Sequence, residues 1–136
     1  MSTPTIYISN KMNQKHAKLV GKLYRQAVYN KNVTGKYHLA EISKGVIPEG
    51  LDEEKIINDF LDAVKGLKDY PSNQAGVYYR LVNSKCIEGD SKKEIDQLMY
   101  DALLSESMVY RRLREAYSII GEVMAKKGSF GGFKNV

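Results

Sequence analysis

An internal disulfide is excluded at the outset, because the 136-residue chain has one cysteine, Cys86. That usage fits a reducing compartment. Long apolar runs are also missing. No stretch approaches the ~18 residues that a bilayer span requires. The opening segment MSTPTIYISNKMNQKHAKL has no apolar core of a secretory signal. The chain is therefore expected to be cytoplasmic, and the glycosylation sequon Asn32-Val33-Thr34 then has no meaning. Histidine is scarce. His16 and His38 are the only two, and with Cys86 they form no metal-ligand spacing and no acid–base motif. Residues 128–133 (GSFGGF) lack the Gly-Lys-Ser/Thr of a phosphate loop. With no nucleophile–base pair in view, the expectation is a non-enzyme without metal or cofactor.

What is present describes a soluble globular chain. It is 43% hydrophobic and 27% charged, without internal repeats. The length suits one domain, or one domain with a small subdomain. The net charge of +5 is unevenly spread. Residues 1–50 hold eight Lys/Arg against two Glu, residues 51–73 three against six acids, and residues 74–127 nine against eight. The positive field thus comes mostly from the first third, and basic clustering points to an anionic partner, usually nucleic acid.

Periodicity predicts an all-α helical bundle. Residues 3–9 (TPTIYIS) are β-prone and read as a short strand or an extended arm. A helix follows from about Asn13 to Asn30, with Ala17, Val20, Tyr24, Ala27 and Val28 on its apolar face. Opposite them lie Lys11, Lys15, Lys18, Lys22 and Arg25, spaced 4, 3, 4 and 3, which at ~100° per residue form one narrow stripe. Such a stripe is a solvated face, a phosphate-contacting face or a surface for an acidic protein. Residues 36–44 form one or two helical turns, and Pro48-Glu49-Gly50 is a turn. A helix opening at Leu51-Asp52-Glu53-Glu54 places acids where the N-terminal dipole favours them. Its core face is Ile56, Ile57, Phe60, Leu61, Val64 and Leu67. Three helices follow: Gln74 to Cys86, about Lys92 to Leu103, and about Glu106 to Lys127. Cys86 is expected to be a small buried residue, and most of the ten tyrosines core residues with a wet hydroxyl. The expected organisation is a basic helical region over 1–50, a helical domain over 51–127 and a flexible tail over 128–136 whose phenylalanines are free to meet a partner.

The segment from Ser91 to Val123 reads as a helix-turn-helix. Ser91 and Glu94 form the pattern of a capping box, and Ser105 is a second N-cap. Ile95, Leu98, Met99 and Ala102 face inward on the first helix, and Val109, Leu113, Ala116, Ile120 and Val123 on the second. Ser107, Tyr110, Arg111, Arg114 and Ser118 remain on the outer side. Short hydroxyls and arginines on the N-terminal half of a helix are what reading a groove ~12 Å wide requires. Arg112 sits nearer the packed flank and is expected to reach backbone phosphate or pair with an acid.

The stretches Tyr79-Arg80, Ile87 to Ile95 (IEGDSKKEI) and Leu104 to Ala116 (LSESMVYRRLREA) resemble the C-terminal half of ArpU/RinA-type regulators. Those are transcriptional activators of phages and prophages in Gram-positive bacteria, and the stretch is similar to the last helix-turn-helix of sigma factors. The resemblance spans about residues 74–125. Leu103 stands where the family has a glycine or small residue in the turn, and Leu98-Met99 where it has a hydrophobic residue followed by alanine. The resemblance implies a DNA-binding transcription regulator in a bacterial host cell, with the helix at about 106–125 in the major groove. The expected contacts to double-stranded DNA are Ser105, Ser107, Tyr110, Arg111, Arg112 and Arg114, backed by Lys15, Lys18, Lys22 and Arg25. A lone helix-turn-helix has limited affinity, so a homodimer or contact with RNA polymerase is expected as well. The alternative is a small phage-type interaction or virion-associated protein that acts through the basic N-terminal helix without binding DNA.

Overall fold

The computed structural model describes residues 4–89 and 91–134, with side chains from residue 11 onward except that of Ser91. Its elements are α1 (Pro4–Thr34), α2 (Leu39–Ile42), α3 (Glu53–Gly66), α4 (Ala75–Val82), α5 (Ser91–Ala102) and α6 (Glu106–Lys126). A 3₁₀ turn extends α3 over Leu67–Asp69, and a π-helical turn extends α4 over Asn83–Glu88. The described residues contain no strand, as an all-α bundle requires.

The β-prone segment at the N-terminus is corrected, apart from Thr3, which lies outside the described residues. From Pro4 onward it is the first part of α1, which is 31 residues long. Proline is tolerated in the first turn of a helix, where its missing N–H has no intrahelical partner to lose. The helix ends where Gly35 takes φ 86° and donates its N–H to the Lys31 carbonyl at 2.9 Å. Helix α3 starts as its sequence predicts, with Asp52 Oδ1 accepting the Lys55 N–H at 3.0 Å.

α1 lies along α6, and between them the two helices organise the core. Ala17, Val20 and Ala27 are fully buried, as are Phe60, Val64, Ile120 and Met124. All belong to one apolar cluster that also takes in Leu39, Ile47, Leu81 and Leu98. Residues before and after position 50 thus share a core, and the expected boundary there does not separate two packing units.

Two inward faces drift from their predicted register. Val123 is 36% exposed and Met124 is fully buried in its place, because Tyr117, Ile120 and Met124 follow the 3.6-residue period toward α1. Ala102 is exposed at the end of α5, where the helix has run past the core.

The expected flexible tail is docked from 128 to 134. Gly128 at φ 77° closes α6, with Gly128 N–H donating to the Ala125 carbonyl and Ser129 N–H to the Met124 carbonyl, both at 3.0 Å. Ser129 Oγ donates to Asp59 Oδ2 at 2.8 Å, and Lys134 N–H to the Val46 carbonyl at 2.8 Å. Phe130 and Phe133 are buried against His16, at ring-centroid distances of 5.2 and 5.1 Å, and against each other at 5.2 Å. Their apolar area is worth more against α1 than in water. The two phenylalanines are therefore already occupied within the chain.

Candidate nucleic-acid interface

The helix pair predicted for 91–123 forms. α5 and α6 meet at a turn over 103–105, and Ser105 caps α6, its Oγ accepting the Met108 N–H at 3.3 Å. α5 begins at Ser91, whose side chain lies outside the described atoms. Glu94 reaches across to α4. It accepts from Arg80 Nε at 2.8 Å, and Arg80 reaches Asp101 at 3.7 Å, so this arginine ties α4 to both ends of α5. Asp101 is thereby partly neutralised.

The predicted outer face of α6 divides in two. Arg112 is 15% exposed and donates to Glu115 Oε1 at 2.8 Å. Glu115 also accepts from Tyr78 Oη at 3.0 Å and lies 3.8 Å from Arg111. Burial acts to raise the Glu115 pKa, but the hydrogen bonds from Arg112 and Tyr78 prevail and hold it below the ordinary glutamate value. Arg111 and Arg112 therefore share a carboxylate on the side of α6 toward α4. Ser107 is exposed at the start of the helix, 3.1 Å from the Ser105 hydroxyl.

Tyr110 and Arg114 turn the other way, toward α1. There they meet the lysine stripe. Lys11, Lys15, Lys18, Lys22 and Arg25 line one wall of a groove of about 860 Å³, and Tyr110, Leu113 and Arg114 line the other. Lys85, which the sequence reading passed over, enters the same groove from the π-helical turn. Such turns are rare and are frequent at functional sites. Seven lining residues are Lys or Arg and none is Asp or Glu. None of the seven takes part in a salt bridge among the described residues.

Comparison of the chain with family models, curated proteins and solved structures returns no match.

The groove's floor explains why its walls can approach. Gly21 of α1 faces Cys86 and Tyr117, where an added Cβ would lie 2.9 Å from Cys86 Sγ. Cys86 Sγ and Tyr117 Oη are hydrogen-bonded at 3.2 Å in a buried position. Burial raises the pKa of both groups above their ordinary values, so the floor is neutral. At one end the Arg25 guanidinium rests on Gly89, whose φ of 79° and lack of a side chain the contact requires. A neutral, low-dielectric floor beneath these seven cations concentrates positive potential. Such a groove is chemically complementary to an extended polyanion. Along 14 residues of α1 the stripe spans ~21 Å, the length of about six phosphates at 3.4 Å each. Among the described residues no group of three or more His, Cys, Asp or Glu is placed to hold a metal, and no helix is long and apolar enough to cross a membrane.

Proposed function

We propose that this protein is a DNA-binding transcription regulator of phage or prophage type. In this reading the N-terminal half of α6 enters the major groove while the α1 stripe holds the adjacent phosphate strand. The observation that carries the DNA contact is the groove, acid-free among the described residues, in which Tyr110 and Arg114 of α6 share a surface with five cations of α1 and with Lys85. A stripe that was merely solvated would not need to converge on the outer face of another helix. The regulatory role rests on the resemblance of residues 74–125. Contacts to phosphate fix orientation, and Ser107, Tyr110 and Arg114 are then the side chains within reach of base edges. Arg111 is 66% exposed at its side chain and is available on the same end of α6. Arg112 acts through Glu115, by holding the helix. A homodimer or contact with RNA polymerase would supply the affinity that one small surface lacks.

The test is a fluorescence-anisotropy titration with short duplexes between 50 and 200 mM salt. Six phosphate contacts, from the five stripe cations and Lys85, give a slope of log affinity against log salt of about −5. Absence of binding at 50 mM salt defeats the proposal and leaves the groove to an acidic protein.

A further inference from the structure

The turn between α5 and α6 is closed by a residue that the fold does not favour. Leu103 has φ 54°, in the left-handed region. Its N–H donates to the Tyr100 carbonyl at 3.4 Å, and Leu104 N–H donates to the Met99 carbonyl at 2.9 Å. This is the same paired closure that ends α6, where the left-handed position is filled by Gly128. Glycine adopts that conformation freely, whereas a leucine Cβ crowds the carbonyl that follows it. The leucine gains nothing from packing in return, since its side chain is 90% exposed. The two other described non-glycine residues at positive φ differ from it: His38 is bonded by Thr34, with Oγ1 2.9 Å from Nε2, and Lys44 presents a charged head to water. Leu103 alone combines left-handed strain with an apolar side chain in solvent. Tyr100, one turn earlier, is 80% exposed beside it.

Leu103 lies at the leading end of α6. It stands two residues before Ser105, the cap of α6, and Ser105 and Ser107 are exposed next to it. A helix that enters a DNA groove by its N-terminus leads with the residues just before its cap. We propose that Leu103 is an apolar reading residue that packs against thymine C5-methyl groups in the major groove. This rests on the DNA reading above and adds a sequence preference to it. The methyl is the apolar feature that distinguishes thymine in that groove. Strain retained at an exposed position, with no return in folding, is what a binding residue shows.

The experiment enriches duplexes with the wild-type protein from a random-sequence pool and remakes the selected duplex with uracil for thymine. Wild type is expected to bind the uracil form about fourfold more weakly per contacted methyl, the ratio for roughly 0.8 kcal/mol per buried methyl-sized group. Leu103→Gly is expected to bind the thymine and uracil forms equally and to melt no lower than wild type. Leu103→Asn, which also tolerates the left-handed region, is expected to behave the same and controls for the freedom that glycine adds. Unchanged thymine preference in both variants, or a lower melting temperature in both, overturns the proposal. If wild type binds no duplex at 50 mM salt, the DNA reading itself has failed. If it binds with a steep salt slope and the variants match it, only the role of Leu103 has failed.

Discussion

Gly121 of α6 stands directly against the backbone of Asn13 in α1: a Cβ at Gly121 would lie 2.5 Å from the Asn13 carbonyl oxygen and 3.0 Å from the Gln14 nitrogen. This contact sets how closely the two helices lie, and therefore the separation of the groove's walls. The neighbour is backbone, which cannot swing aside as a flexible side chain would.

Gly121→Ala tests this directly. Helix propensity alone would favour alanine by up to ~1 kcal/mol. The overlap with backbone is expected to win, for a net loss of about 1–3 kcal/mol, the usual cost of overpacking. Urea denaturation measures it, and a stability equal to or above wild type would show that the helices separate freely there. DNA binding is expected to weaken as well, because Arg114 and the stripe move apart.

The stripe is tested by Lys15→Ala, Lys18→Ala and Lys22→Ala combined. All three side chains are exposed in the groove. Losing three phosphate contacts lowers the magnitude of the salt slope by about 3, while each exposed substitution alters stability by less than ~0.5 kcal/mol. Lys65→Ala, on exposed α3 surface away from the groove lining, serves as the control. A slope that does not distinguish the triple variant from Lys65→Ala places the phosphates elsewhere.

The division of the α6 arginines predicts opposite behaviour for two of them. Arg114→Ala is expected to weaken binding by ~1–3 kcal/mol with the fold intact, as for loss of a specific contact. Arg112→Ala is expected to destabilise the fold by ~1–3 kcal/mol, because Glu115 loses its charged hydrogen-bond partner. Thermal melts and anisotropy on the same two variants decide it. The assignment fails if Arg112→Ala binds weakly while melting normally.

His16 makes the tail sensitive to acid. Its ring is buried against Phe130 and Phe133, and its Nε2 lies 3.3 Å from the Lys134 carbonyl oxygen. Its Nδ1 has no hydrogen-bond partner among the described residues. Burial lowers its pKa below 6.5, against a smaller opposing effect of the Lys134 carbonyl. The unfolded chain then binds this proton more readily than the folded one. Stability is fully present above pH ~6.5 and is lost as pH falls from there through the lowered folded value. Proteolysis at Lys127 or Lys134, followed from pH 7.5 to 5, is expected to quicken as pH falls, and His16→Phe is expected to flatten that trend. The same acceleration in His16→Phe would move the cause to other groups, Asp59 among them, since it holds Ser129.

Helix order was legible wherever periodicity and caps agreed. Asp52 and Ser105 cap the helices their sequence contexts indicate, and the faces of α3 and of the first part of α6 are buried as the 3.6-residue spacing requires. The start of α1 was not legible, because β-branched and aromatic residues next to a proline look extended in isolation. The docking of the tail was not legible, because glycine-rich composition signals freedom only when nothing buries its aromatics. Lys85 carried no local signal. Its place in the groove depends on the π-helical turn and on Cys86 packing against Tyr117.

By itself the sequence determined the all-α fold class and the existence of two notable surfaces, the cationic stripe of α1 and the outer face of α6. Both follow from short-range rules, the residue spacing within one helix and the chemistry of its first turn. Whether those surfaces belong together could not follow from such rules. They are separated by about 90 residues, and only the packing of Gly21 on Cys86 and of Gly121 on Asn13 brings them to one groove. That packing also sends Tyr110 and Arg114 toward the stripe and leaves Arg111 and Arg112 with Glu115. The tertiary structure thus decided which half of the predicted reading face shares the positive field, because a helix's neighbours assign the roles of its sides.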